Sequence, residues 1–348
     1  MTKKIKYFLG GIGLIVIAGV IIIIMLLGPV SKEQTVITFS VPSGASKIDI
    51  VSNLKKAGLI QSKYASLIYV FFNRDLNLQA GNYNLQKDMS TKEIFNYIAA
   101  GKTNEVVPTV YITFVEGKKL TDYAKQIAAN FDITYDDFIE RTSDKEFLKE
   151  LVDHYDFLDE SILDEKLYYP LDGYLAADTY EFYQNSDVDT IVYRMLNNMQ
   201  ARYNKLQKQI EESKYSFHDL LTMASIIEKE GNSSKDRKII SQVIYKRLDI
   251  NMSLGMDVTT YYGVKKDLSE EITQDDLNDD NPYNTRNNNF KGLPIGPICS
   301  PSLDSITAAL EPSDTDYVYF AADVDTGAVY FAKNDEEWIE LLRQLGLR

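Results

Sequence analysis

The apolar residues follow two periods along the chain, and their order predicts a mixed α+β protein. Residues 36–39 form a short apolar run before a turn at residues 42–44, which predicts a strand. Ile48, Val51 and Leu54 then recur at helical spacing. The folded part of the chain therefore begins with a strand, a turn and a helix.

The same order of elements is predicted twice more. LQAGNYNLQKDMSTKEIFNYIAAGK reads as strand, turn and helix, where Ser90 and Glu93 have the spacing of a capping box and Gly101 ends the helix. VYITFVEGKKLTDYAKQI again places a glycine turn between a strand and a helix. Further along, a long amphipathic helix is expected from about Asp187 to Ser213, and a hairpin and a helix capped by Asn334 end the chain.

A long apolar run near the N-terminus predicts a membrane anchor. Lys3, Lys4 and Lys6 precede an uncharged stretch from about Tyr7 to Leu27, which is about 20 residues and long enough to cross a bilayer. Because the lysines come first, the N-terminus is expected in the cytoplasm and the rest of the chain outside. The predicted parts are a cytoplasmic tip and transmembrane anchor over 1–30, a small module over 35–103, and a larger domain over 104–348, divided at 105–185 and 186–348.

Composition and charge exclude several classes of protein. The net charge of −14 argues against nucleic acid as the main partner. One cysteine and two histidines leave no intramolecular disulfide and make a metal site unexpected. The chain has no GxSxG elbow, no Walker motif and no dinucleotide fingerprint. We therefore expect neither a metal nor a cofactor.

One acidic residue stands out in the segment LLTMASIIEKEGN. On a helix, Leu221, Ala224 and Ile227 share one apolar stripe, and Glu228 falls inside it. A shielded carboxyl has a raised pKa and suits a general acid, although a helix-face acid paired with a cation is the ordinary alternative. Glu230 falls toward the polar side near Asp219 and is predicted to be a solvated supporting acid.

Three other segments combine polar and aromatic residues in the way that carbohydrate grooves do. For each, the alternative is ordinary packing or turn formation. The candidate substrate-binding residues in LDGYLAADTYEFY, MSLGMDVTTYYG and NPYNTR are Tyr180, Glu181, Asp257, Thr259, Tyr283 and Asn284.

The order of the motifs resembles the MltG (YceG-like) family of endolytic murein transglycosylases. The anchor is followed by VPSGAS, LDGYLAADTYEF, ASIIEKEG, VIYKRLDINMSLGMDVTTYYG, NPYNTR, GLPIGPI and a terminal hairpin. This resemblance implies a LysM-like first module and a catalytic domain that cleaves nascent peptidoglycan within its glycan strands, leaving 1,6-anhydro-N-acetylmuramoyl ends. It also implies that Glu228, as the first Glu of the motif, is catalytic, and that peptidoglycan synthases are nearby partners.

The sequence also departs from the family pattern. Val329 and Trp338 stand where the family has histidine, and Ser300-Pro301-Ser302 stands where it has Asn-Pro-Gly. A lytic transglycosylase needs only one carboxyl, whereas Glu181 or Asp257 would supply the second one that a hydrolase uses. The alternatives are therefore hydrolysis, a glycosidase of another polysaccharide, and a non-catalytic peptidoglycan-binding scaffold.

Overall fold

The computed structural model describes residues 19–32, 35–101, 108–287, 289–322 and 326–346. Within these ranges the chain is a mixture of helices and three two-stranded sheets, which confirms the predicted α+β class. It divides into two compact units. The first takes in the chain up to Val110 together with Glu181–Ser186, and the second takes in Tyr111–Tyr180 and the chain from Asp187 onward.

The first unit packs three helices against a two-stranded antiparallel sheet. After a helical segment α1 at residues 19–26, its elements are β1 (Val36–Val41), α2 (Lys47–Lys56), α3 (Lys63–Phe72), β2 (Gly81–Gln86) and α4 (Thr91–Ala99). Strands β1 and β2 are antiparallel, with Phe39 opposite Tyr83. Both rings lie in a core that α2 and α4 close with Leu54 and Phe95.

The predicted helix cap of this unit is present in the structure, but one of its helices was not predicted. Ser90 accepts a hydrogen bond from the Glu93 amide and the Glu93 carboxylate accepts from Ser90, so the predicted capping box is present. Helix α3 was not predicted. Ser62 caps it by accepting from the Ala65 amide, and this serine is the signal that could have placed it.

The predicted anchor lies mostly outside the described residues, because residues 1–18 are not among them. In the part of the chain that the structure covers, no helix is both long and apolar enough to cross a bilayer. Residues 19–26 are helical, and Val20, Ile22, Ile24 and Met25 are exposed on them.

The second unit is mainly helical. Its helices are α5 (Leu120–Asn130), α6 (Tyr135–Ser143), α7 (Lys145–His154), α8 (Val188–Glu212), α9 (Phe217–Glu230), α10 (Ser234–Asp249), α11 (Asp257–Gly263), α12 (Gln274–Asn278), α13 (Leu303–Leu310) and α14 (Asp335–Gln344). Strands β3 (Thr109–Phe114) and β4 (Asp178–Tyr183) form one sheet, of which residues 111–114 and 178–180 belong to this unit. Strands β5 (Tyr319–Ala322) and β6 (Val329–Ala332) form the terminal hairpin.

Helix α9 is buried on all sides rather than on one stripe. Every residue from Phe217 to Ile227 except Asp219 is buried. The polar side chains of this helix form their hydrogen bonds inside the protein. The Thr222 hydroxyl donates to the His218 carbonyl, and the Ser225 hydroxyl accepts from the Ile298 amide at 3.0 Å. The sequence predicted that only one stripe of this helix is buried. That prediction was wrong, because the segment around Ile298 also covers the polar side of the helix.

Candidate active site

The C-terminal end of α9 carries the two glutamates of the EKEG motif. Ser216 and Asp219 form the capping box that starts the helix, and Gly231 ends it. A Cβ atom on Gly231 would lie 2.6 Å from Cγ of Arg237, so a larger residue would displace this arginine. The glycine thus lets α10 approach α9 where the two acids lie.

Glu228 is held by a network of donors. Its Oε2 accepts from the Ser302 amide at 3.0 Å, from the Ser302 hydroxyl at 2.5 Å and from the Ser305 hydroxyl at 2.6 Å. Its Oε1 lies 3.6 Å from Nη2 of Arg237, and its side chain is only 9 % exposed. Ser302 caps α13, so Glu228 also faces the positive end of that helix. Glu228 is shielded, as predicted, and its carboxyl group joins α9 to α13 and α10.

Glu230 has the opposite environment. Its side chain is partly buried, and in the described part of the chain its carboxylate makes no hydrogen bond or ion pair. Burial raises the pKa of Glu230 to about 7, the negative charge of Asp257 adds to this, and Arg286, Arg247 and Lys229 oppose it. The prediction of a solvated supporting acid does not match this position, because the last turn of α9 ends among side chains of α10 and α11.

Both acidic and basic residues lie near Glu230. Asp257 begins α11 and forms an ion pair with Arg286, whose Nε lies 2.5 Å from Oδ1 of the aspartate. Both side chains are about half exposed, at 56 % for Asp257 and 45 % for Arg286. Asp257, one of the predicted substrate-binding residues, therefore lies near the candidate catalytic glutamates, and its side chain is exposed enough to contact a ligand.

Arg247 is the buried cation of this region. Its Nε donates to the Val318 carbonyl at 2.7 Å, and its Nη1 donates to the Leu254 carbonyl. Burial lowers the pKa of its guanidinium to about 10. Arg247 was not among the sequence predictions, although it lies one helical turn after Val243 and Ile244 on the buried side of α10. Like Glu228, it is a charged residue at a helix position that the apolar spacing assigns to the core.

Thr259 and Asn284 have structural contacts in place of the predicted role in sugar binding. Both are fully buried. The Thr259 hydroxyl donates to the Met256 carbonyl at 2.8 Å. The Asn284 amide donates to the carbonyls of Asp276 and Asp279 at 3.0 and 2.8 Å. The loop that carries Asn284 is joined to α11 by the Thr260 hydroxyl, which donates to the Asn284 side chain at 2.8 Å, and by the Thr259 and Thr285 hydroxyls, 2.8 Å apart. Neither Thr259 nor Asn284 has a side-chain donor open to solvent.

The two tyrosines among the predicted substrate-binding residues are also in the interior. Tyr283 is fully buried, with ring centroids 4.8 Å from Tyr168 and 4.7 Å from Tyr262. Tyr180 is 4 % exposed, and its hydroxyl donates to the Ala176 carbonyl at 2.6 Å. Glu181 is partly buried and belongs to the first unit, so the second unit alone does not bring it to the site.

Asp172 is a second acid with a raised pKa. It is 2 % exposed and accepts hydrogen bonds from the amides of Leu120 and Gly173, both at 3.1 Å, and from the Tyr262 hydroxyl at 2.9 Å. Burial raises its pKa to about 7, against these hydrogen bonds and the charge of Lys119, which lower it. The side chain joins the start of α5, the turn at Gly173 and the end of α11.

Asp172→Asn is expected to stabilise the protein relative to wild type progressively as the pH rises. The pKa of Asp172 in the folded protein, about 7, lies above the ordinary aspartate value of 3.8, so its contribution to stability is complete below about pH 4 and is lost as the pH rises through 7. Asparagine keeps an acceptor for the two amides and does not ionise. The difference in unfolding free energy between variant and wild type, measured by denaturant titration from pH 4 to 8, should grow by the order of a few kcal/mol. A difference independent of pH would contradict the raised pKa.

Among the residues that the structure describes, the end of α9 thus carries one partly buried carboxyl, that of Glu230, without a hydrogen bond or ion pair, an arrangement typical of acid–base sites. The charges of Asp257 and Arg286 act on its pKa, while Glu228 is hydrogen-bonded to α13 and faces Arg237 of α10. Comparison with known proteins confirms the family that the sequence motifs resemble. The model of the YceG-like family matches residues 39–344, so this chain belongs to the YceG-like family.

The relatives of known name are bacterial wall enzymes. The chain is 34 % identical over 315 residues to the endolytic murein transglycosylase of Bacillus subtilis, covering 90 % of this chain and 86 % of that protein. It is 33 % identical over 321 residues to the protein of the same name from Streptococcus pneumoniae, covering 88 % of this chain and 58 % of that protein, so it spans little more than half the length of the pneumococcal relative. The crystal structure of a YceG-like protein from Listeria monocytogenes matches 89 % of this chain and all of that chain, with a TM-score of 0.63 and 35 % identity.

Proposed function

We propose that this chain is an endolytic lytic transglycosylase that cleaves peptidoglycan glycan strands between N-acetylmuramoyl and N-acetylglucosaminyl residues. Family membership and the named relatives support the reaction class. The observation that carries the proposal is the carboxyl of Glu230, which has a pKa of about 7 and no partner among the described residues. Such a group is protonated in a large fraction of molecules near neutral pH.

The reaction needs one group that first gives and then takes a proton. In the first step, the Glu230 acid protonates the glycosidic oxygen and the bond from that oxygen to the muramoyl anomeric carbon breaks. In the second, the muramoyl 6-hydroxyl oxygen bonds to the same carbon and its proton passes to the Glu230 carboxylate. No water is consumed and the enzyme returns to its starting form. We assign Glu230 this role in place of Glu228, whose Oε2 already accepts three hydrogen bonds.

The neighbouring groups have separate roles in this proposal. Arg286 and Asp257 hydrogen-bond the polar groups of the sugars, because they are charged and half exposed beside the acid. The positive charges of Arg247 and Arg286 limit how far the pKa of Glu230 rises. They also stabilise the carboxylate that forms after the proton is given.

The proposal extends to the parts outside the active site. The run from about Tyr7 to Leu27 anchors the protein as a single membrane span, with the second unit on the extracytoplasmic side. Residues 35–103 form a LysM-like module, and peptidoglycan synthases working on the same strands are the expected neighbours. Cleavage within nascent strands would end their elongation.

The chemical form of the products tests the reaction class. When the full-length protein in detergent digests purified sacculi, mass spectrometry should show muropeptides that end in 1,6-anhydromuramic acid, with no water added. Reducing muramoyl ends would instead identify a hydrolase. Absence of soluble fragments, with glycan still bound by the protein, would identify a scaffold.

A further inference from the structure

Helix α3 of the first unit presents a continuous apolar face to solvent. Tyr64 is 78 % exposed, Ile68 40 %, Phe71 60 % and Phe72 78 %. These positions recur every three to four residues, so they share one side of the helix. Ser66 and Val70 lie on the opposite side and are buried in the unit, as is Ala65. The helix is thus apolar on both sides, and exposed aromatic clusters of this kind mark interaction surfaces.

The chemistry of this face suits the boundary between a membrane and water. The Phe71 and Phe72 rings meet edge to face with centroids 5.5 Å apart, and the Arg74 guanidinium lies 4.8 Å from the Phe71 centroid. Lys63 begins the helix, so each end of the apolar face has a cation. Aromatic rings flanked by lysine and arginine are typical of helices that lie in the headgroup region of a bilayer.

The helix starts beside the point where the chain leaves α1. The Leu27 carbonyl accepts from the Thr91 amide at 2.9 Å, and the Pro29 carbonyl accepts from the Gln61 side chain at 2.6 Å. Gln61 immediately precedes Ser62, the cap of α3. Since consecutive Cα atoms are about 3.8 Å apart, the cap of α3 lies close to the end of α1.

We propose that α3 lies on the outer surface of the membrane that holds α1, with Tyr64, Ile68, Phe71 and Phe72 inserted between lipid headgroups. This inference rests on the anchoring part of the proposed function. The cations at the two ends of the face meet anionic headgroups. A second copy of the chain fits this face less well, because two copies packed through it would bring cations together in either orientation. The helix holds the first unit against the membrane.

Spin labels on the full-length protein in vesicles of phosphatidylglycerol and phosphatidylethanolamine test this surface. Cys299, the native cysteine, is 1 % exposed, so a nitroxide should react only with an introduced cysteine. Ile68→Cys and Phe72→Cys carry labels on the apolar face, and Asn84→Cys is the control on the exposed side of β2. Labels at 68 and 72 should lose collisions with a water-soluble nickel complex and gain collisions with oxygen, at a depth of about 5–10 Å. The label at 84 should show the reverse.

The outcomes separate this inference from the anchoring on which it rests. Flotation with the vesicles reports anchoring, and a protein that does not float overturns both proposals. If the protein floats and labels at 68 and 72 meet nickel as often as the label at 84, α3 is not on the membrane and the anchor stands. Spectral broadening at 68 and 72 that disappears on dilution with unlabelled protein would show a second copy on this face and overturn the inference. Adding Tyr64→Ser and Phe71→Ser should return the label at 72 to water.

Discussion

Glu230→Gln is expected to reduce the release of anhydro-ended fragments by about 10²- to 10⁴-fold, the usual contribution of a general acid–base group. Glutamine has nearly the same shape and carries no proton at neutral pH that it can donate to a leaving oxygen. The protein should keep its fold, because the Glu230 carboxylate makes no hydrogen bond or ion pair in the described part of the chain. Initial rates of product release, measured by liquid chromatography of digests, give the fold-change.

Glu228→Gln is the matched control, since it makes the same chemical change two residues earlier on the same helix. It should leave more activity than Glu230→Gln and lose more stability. Wild-type activity should fall as the pH rises through about 7, because the Glu230 acid ionises there. Full activity in Glu230→Gln, together with an inactive and stable Glu228→Gln, would return the catalytic role to Glu228.

Glu228→Ala is expected to lower the free energy of unfolding by about 3 kcal/mol. The change leaves the Ser302 amide and two serine hydroxyls without their acceptor and takes one of two acidic partners from Arg237. Trp338 is the only tryptophan and lies in the second unit, so its fluorescence during denaturant titration reports the unfolding of that unit.

Asp304→Ala provides the comparison for this network. Asp304 is the other acid on Arg237, with Oδ2 2.7 Å from Nη1, but its side chain is 39 % exposed. Water can replace that partner, so the loss should be about 1 kcal/mol or less. Ser302→Gly keeps the amide that donates to Glu228 and removes the hydroxyl, and its loss should fall between the two. Equal stability of Glu228→Ala and wild type would contradict the supporting role.

The local elements were largely predictable because their signals lie within a few residues of one another. The capping box at Ser90 and Glu93, the long helix starting after Asp187, and the Asn334 cap of α14 all agree with the structure. Helix α3 was the exception among these. Its apolar residues lie on both sides, so its hydrophobic pattern has no polar face to reveal a period.

The sequence by itself determined that the EKEG segment ends a helix with one buried stripe and that one of its glutamates is shielded. It could not decide which glutamate holds a proton, because that depends on groups distant in the chain. Ser302 and Ser305 reach Glu228 from 74 and 77 residues away. Asp257 at the start of α11 and Arg286 in a loop act on Glu230 from distant parts of the chain, which no periodicity places. Burial of Tyr283 and Asn284 was likewise decided by tertiary packing. A carboxyl's pKa follows its surroundings in three dimensions, so only the folded structure separates the two acids.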